Sequence, residues 1–352
     1  MTNFILPITM HILLKWYYGF KNFGDELILL PLLTWLEEQY QPDEIDILCG
    51  DPQWLEQWVL QHKYFMPPLF HKLHFLPKPN LIEQIKMFFG NYQKKYDLII
   101  FGGGEVLDES RKFPHDGRNI PLLYRNYVSN NKFILLGGFG EHKKHRTKVL
   151  HQMLFDQAQF IGARDVRSMK QAQFYVKDKE KKKIKLFGDF CLSLLEEVQE
   201  IFKQENIKNT KGKYVLINLW DTCCDQKSFN NIKLFLEKFK NTQPIYVPMN
   251  LEEENKYFEV LQEQIPNLEK FDWSTAWVSA TLKLFYFAQW WIGTKLHFLY
   301  PLKYFWKPVE VLDYRYKIET NFADLDHLDE IKESYQSEAY EKFFEDLSHS
   351  CE

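Results

Sequence analysis

The chain has 352 residues, 45% hydrophobic and 26% charged, with a formal net charge of -4. That length exceeds one ordinary core and fits two domains, and the mild negative balance excludes a global attraction to nucleic acid, so any anion site has to be built locally. The five cysteines, Cys49, Cys191, Cys223, Cys224 and Cys351, show no C-x-x-C spacing, which excludes a disulfide framework and a paired-cysteine zinc site and points to a reducing cytoplasm.

The first residues lack a basic leader followed by a small-residue cleavage site, and their apolar content is assigned to a buried first strand over 11–18. A loop over 19–24 leads into a helix over 25–38, with Asp25 as an acid in its first turn. A strand, glycine-bearing loop and helix in this order suits binding at the helix N-terminus. The apolar stretch 27–33 falls far short of a membrane span, so no transmembrane segment is expected. A strand over 45–49, a helix over 54–61 behind Asp51-Pro52 and a helix over 81–92 follow. The strand 97–101 ends on Gly102-Gly103-Gly104, the strand 133–136 on Gly137-Gly138, the strand 160–163 runs into Arg164-Asp165, and the strand 184–187 closes on Gly188-Asp189. The lysine-rich run 177–185 is assigned to a solvated loop.

Residues 196–212 turn polar and helical, and a second series opens behind them. It holds strands over 214–219, 244–248, 290–293 and 309–312 with helices over 232–240, 253–264 and 281–288. The expected organisation is a first domain over 1–195, a second over 196–320 and an acidic helical tail over 321–352. Continuous apolar strands alternating with helices indicate an α/β fold with parallel sheets, whose ligands lie outside the carboxyl ends of the strands. It is at these ends that glycines and charges recur.

The triple glycine lacks G-x-G-x-x-G spacing, no Walker lysine follows any glycine loop, and no G-x-S-x-G is present. The H-x-x-H pairs His71/His74 and His142/His145 have no further ligand at metal spacing, and no metal is expected. The stretch Ile292-Gly293-Thr294-Lys295-Leu296-His297 stands apart: an apolar run ends at a glycine, and a strand edge or helix start freed there can place a cation and an imidazole, two residues apart, side by side. On strand periodicity Lys295 and His297 share a face. The competing structural assignment is a core histidine beside a snorkelling lysine.

Taken in order, several segments resemble the polysaccharide pyruvyl transferases. Residues 17–26, Tyr-Tyr-Gly-Phe-Lys-Asn-Phe-Gly-Asp-Glu, look like the family's opening; 97–104 resembles its strand ending in three glycines; 162–168 its R-D-x-x-S segment; Pro248-Met249 its P-M strand end. Residues 292–297 resemble its I-G-x-R-L-H and 314–317 its Y-x-x-K. Departures are Lys295 in place of the arginine before L-H, and Trp220 where an arginine is expected near the first strand of the second domain. The resemblance implies two Rossmann-like domains facing across a cleft in the glycosyltransferase-B manner, and transfer of pyruvate from phosphoenolpyruvate to a sugar as a ketal.

On that resemblance His297 is the proton-transferring residue, since an imidazole serves as acid and then base near neutrality. Arg164, Lys295 and Lys317 hold the carboxylate and phosphate of the donor. Asn22, Asp25, Gly103 and Gly104 lie on the acceptor side. The implied partners are phosphoenolpyruvate as co-substrate and a glycan or lipid-linked sugar acceptor. Neither metal nor other cofactor is called for, and peripheral association with a membrane surface is compatible. Two alternatives stand beside this: a nucleotide-sugar glycosyltransferase, with Lys295 on a diphosphate and Trp220 bordering a base, and a non-catalytic sugar- or phosphate-binding relative.

Overall fold

The computed structural model describes residues 10–62, 69–78, 82, 96–107, 132–140, 145–204, 212–220, 225–305, 307, 309–312, 318, 322–323 and 325. Apart from Ile82, the helix expected over 81–92, together with His142, Lys317 and almost all of the tail, falls outside the described residues. The chain divides into two compact units. The first takes its described residues from the segments ending at Tyr18 and running Leu32–Asp189, and the second from Gly19–Pro31 and from Phe190 onward.

In the first unit, strands β1 (His11–Lys15), β2 (Glu44–Cys49), β3 (Leu73–Pro77), β4 (Leu98–Leu107), β5 (Lys132–Phe139), β6 (Phe160–Ala163) and β7 (Ile184–Leu186) form one sheet in the order β3-β2-β1-β4-β5-β6-β7. Every pairing is parallel. Ile12, Leu13, Ile45, Ile99, Ile134 and Ile161 are wholly buried, as expected of strands covered on both faces, which is why these strands are near-continuous apolar runs in the sequence. The order reverses between β1 and β4.

Helix α1 (Phe23–Tyr40), whose residues up to Pro31 belong to the second unit, is apolar on every side through its middle and buries Leu27, Ile28, Leu29, Leu32 and Leu33 completely. Its Pro31 supplies no N–H to the turn before it. Helix α2 (Pro52–Gln61) is capped by Asp51, whose carboxylate accepts the Trp54 N–H. Helices α3 (His145–Gln157) and α4 (Val166–Tyr175) complete the described helices of this unit. The lysine-rich run forms a 3-10 turn over Asp178–Lys183 with local pairs Lys181–Asp178 and Lys183–Glu180.

The triple glycine does not end its strand. β4 continues to Leu107, with register shifts against β5 at Gly102/Glu105 and Glu105/Leu107. Gly102 has φ +140, and a Cβ there would lie 1.7 Å from the Leu136 carbonyl oxygen; a Cβ on Gly137, φ +129, would lie 2.3 Å from that of Gly104. Glycines at these points let two backbones approach where the ladder is irregular. Gly102→Ala is therefore expected to lower stability by more than the ~1–3 kcal/mol of backbone strain alone, seen as a reduced denaturant midpoint. An unchanged midpoint would refute the crowding.

In the second unit, β8 (Tyr214–Ile217), β9 (Gln243–Tyr246), β10 (Glu269–Lys270), β11 (Trp290–Gly293) and β12 (Val309–Val311) pair in parallel in the order β10-β9-β8-β11-β12. Its described helices are α5 (Cys191–Gln204), α6 (Gln226–Glu237), α7 (Leu251–Gln264), α8 (Val278–Phe287) and α9 (Leu296–Tyr304). Asp225 caps α6 and Asn250 caps α7. The core gathers Ile217, Ile232, Tyr246, Leu261 and Ile292. Here the order reverses between β8 and β11, so both sheets are doubly wound and the Rossmann-like α/β expectation is borne out. One expectation is corrected: Lys295 and His297 do not share a strand face. β11 stops at Gly293, Lys295 is the N-cap of α9, and His297 is its second helical residue. Among the described residues no helix is long and apolar enough to cross a membrane.

Candidate functional site

The reversal of the second sheet brings the residues after β8 beside those after β11, the place where a doubly wound sheet opens a ligand crevice. Asn218, fully buried, joins the strand ends there. Its Nδ2 donates to the Val247 carbonyl (3.0 Å) and to Glu254 Oε2 (2.9 Å), and its Oδ1 accepts the Lys295 N–H (3.2 Å) and the Thr294 hydroxyl (3.5 Å).

Glu254 belongs to the first turn of α7, beside Glu252 and Glu253, yet it is completely buried. It accepts the Met249 N–H at 2.8 Å and faces the Lys295 ammonium at 3.3 Å. Burial raises its pKa above the ordinary carboxylate value, and the Lys295 charge opposes that rise. The Lys295 ammonium also lies 4.0 Å from the centre of the Trp220 ring, a cation–π arrangement. Its position is thus set by a carboxylate and an indole.

His297 is placed by the start of α1. A Cβ on Gly24 would lie 2.2 Å from His297 Nδ1 and 2.6 Å from its Cγ, so the imidazole packs where only glycine leaves room. The loop before Gly24 is tied down on both sides. Phe23 N–H donates to the Met249 carbonyl (2.7 Å), Leu251 N–H donates to that of Lys21 (3.1 Å), and Asn22 bridges to Asn250. Glu26, fully buried, accepts the Gly19 N–H at 3.0 Å. Burial, then the neighbouring Asp25, hold its pKa well above the ordinary range, with backbone N–H groups opposing. Phe23 packs between Trp273 and Phe285, with ring centres 5.2 and 6.0 Å away.

Asn22, Asp25, Lys295 and His297 therefore all belong to the second unit. Asn22 Nδ2 donates to Asp25 Oδ2 at 2.6 Å, and Asp25 is 9% exposed. Arg164, Gly103 and Gly104 belong to the first unit. Arg164 is 5% exposed and meets two carboxylates, with Nε 3.6 Å from Asp165 and 4.0 Å from Asp189. The remainder of that motif has structural duties: Asp165 caps α4 through the Ser168 N–H (2.7 Å), and the Ser168 hydroxyl accepts the Phe139 N–H (2.9 Å). Gly103, with φ +145, and Gly104 lie in the irregular stretch of β4. His71 and His74 sit on a 3-10 turn and a strand, both exposed, and share no helical face.

Sequence reasoning missed Asn218 and Glu254. A glutamate among three at a helix start reads as solvated charge, and only the fold buries it. The glycine before Asp25-Glu26 did carry a signal in its motif, though not the identity of what it accommodates.

Residues 22–280 match the family model described as polysaccharide pyruvyl transferase. A comparison with curated proteins finds no match. Among solved structures, the chain is similar to UDP-GlcNAc 2-epimerase from Neisseria meningitidis bound to UDP-GlcNAc, with TM-score 0.57 and 12% identity over 97% of this chain and 99% of that one. It is also similar to UDP-GlcNAc 2-epimerase from Methanocaldococcus jannaschii (TM-score 0.54, 13% identity, 94% of each chain). Anabaena HepE in complex with UDP-glucose gives TM-score 0.53 at 10% identity over 95% of this chain and 94% of that one. At these identities the likeness speaks for the fold alone.

Proposed function

The chain belongs to the polysaccharide pyruvyl transferase family, and from that premise we propose that it transfers pyruvate from phosphoenolpyruvate to a sugar of a polysaccharide or glycolipid precursor as a ketal. The observation that carries this reading is the placement of His297 and Lys295 together at the reversal point of the second sheet, the imidazole seated on Gly24.

The chemistry asks for few groups. The enol methylene takes a proton, a sugar hydroxyl attacks the adjacent carbon, phosphate leaves, and a second hydroxyl closes the ring. His297 supplies the proton and then accepts one from the attacking hydroxyl. Lys295, at the N-terminus of α9, offers a cation and the positive end of a helix dipole to the donor's anionic groups. Glu254 and Trp220 hold that cation in place, a different solution from the planar fork of an arginine. Asn22 and Asp25, within hydrogen-bond reach of each other, face the sugar hydroxyls. Arg164 enters this reading through its motif match; Arg164→Ala is expected to weaken donor binding by ~1.5–3 kcal/mol, and unchanged affinity would remove it from the site.

A nucleotide-sugar transferase is the second reading, favoured by the Trp220 ring beside Lys295 and by the sugar nucleotides bound to the fold relatives named above. Phosphate release from phosphoenolpyruvate against a panel of glycans, run beside UDP-sugars with the same acceptors, separates the two. Release that depends on glycan supports pyruvyl transfer. Turnover only with UDP-sugars overturns it.

A further inference from the structure

The first sheet has a reversal point of its own, between β1 and β4, and the residue standing there is Lys15. It is the last residue of β1, in register with Leu48 on one side and Phe101 on the other. It is 3% exposed. Among the described residues its ammonium makes no hydrogen bond and no ion pair, and it lies 5.9 Å from the centre of the Phe101 ring. The other charge acting on it is also positive: Lys78, just past β3, whose ammonium lies 5.6 Å from the Tyr17 ring centre. Burial first, and Lys78 second, lower the Lys15 pKa from 10.5 to about 7.

Polar groups nearby have other commitments. Asp46 accepts the Tyr96 hydroxyl, Asp51 caps α2, and the Tyr18 hydroxyl donates to the Gly102 carbonyl at 2.9 Å. A buried cation without a counter-charge is costly. A lysine placed so at a strand end is accounted for when an incoming ligand brings the missing charge. Two lysines together match a dianion better than a lone carboxylate.

We propose that Lys15 and Lys78 form a phosphate-binding site at the carboxyl edge of the first sheet, taking the phosphate group of a sugar phosphate or of a lipid phosphate. The site lies in the first unit and does not rest on pyruvyl transfer.

The test is chemical labelling of the full chain. Pyridoxal 5′-phosphate at pH 7 condenses with an accessible neutral amine, borohydride fixes the adduct, and peptide mapping locates it. Lys15 is expected to be the most heavily labelled lysine, with labelling lowered about tenfold by saturating glucose 1-phosphate or by a polyprenyl phosphate in detergent micelles; the arm that protects identifies the source of the phosphate. Labelling that spares Lys15, or labelling there that neither phosphate reduces, overturns the proposal. Neither result depends on a variant that has to fold. Lys78→Gln, at a partly exposed position, is expected to abolish the protection while Lys15 stays reactive, and full protection in that variant would remove Lys78 from the site.

Discussion

His297→Gln is expected to lower turnover by about two to four orders of magnitude while the melting temperature stays near that of the parent, as for loss of a group that moves protons in the transition state. The side chain is only partly buried, so glutamine fills a similar volume without opening a cavity. The companion substitution Gly24→Ala tests the same assignment from the other side. Its Cβ would fall 2.2 Å from His297 Nδ1, so the ring has to move although no catalytic atom is removed. A displacement of about 1 Å is enough to cost on the order of a hundredfold in rate. Turnover per folded molecule, read with the melting temperature on one preparation, decides: a normal value in His297→Gln ends the catalytic role.

The second large effect concerns stability. Glu254→Ala is expected to cost about 3–5 kcal/mol, the range for removing one partner of a buried ion pair, measured by equilibrium denaturation. Three groups lose their acceptor at once: the Asn218 amide at 2.9 Å, the Met249 N–H at 2.8 Å and the Lys295 ammonium at 3.3 Å. Glu254→Gln keeps an acceptor oxygen and removes the charge, so its cost should be smaller. In the double variant Glu254→Ala with Lys295→Met the unpaired cation is gone, and part of the loss should return. A cost below 1 kcal/mol for Glu254→Ala would mean that the carboxylate does not hold this strand edge.

How much of this was legible beforehand follows from burial. The strands 160–163 and 290–293 were expected where they occur, because parallel strands covered on both faces write themselves as apolar runs with sharp ends. Helix α9 was foreseen only as a helix start after Gly293, beside a strand edge, and with no extent. Its sequence contains Pro301 and bulky aromatics, and its N-cap, Lys295, makes no side-chain cap, so the usual starting signals are missing. Lys295 and His297 were singled out together but with strand geometry, whereas they open a helix. What surrounds them was beyond local reasoning: Glu254 and Asn218 reach Lys295 from distant segments, and the imidazole packs against Gly24, far from it in sequence. Lys15 closes an apolar strand and carries no motif, and its lack of a counter-charge is visible only in three dimensions.

The grouping of Gly19–Pro31 with the later residues bears on how the chain is made. Phe23 completes an aromatic cluster with Trp273 and Phe285, so this contact closes a loop running from residue 23 to residues 273–285. Such closure carries a large entropic cost that is recovered only late, and contacts of this span slow folding. The second unit therefore cannot finish folding as an independent C-terminal piece. A fragment beginning at Phe190 would lack the glycine on which His297 rests and would expose the cluster that Phe23 seals, and supplying residues 19–31 in trans, or circularly permuting the chain to place them beside it, is the route to an isolated half that folds.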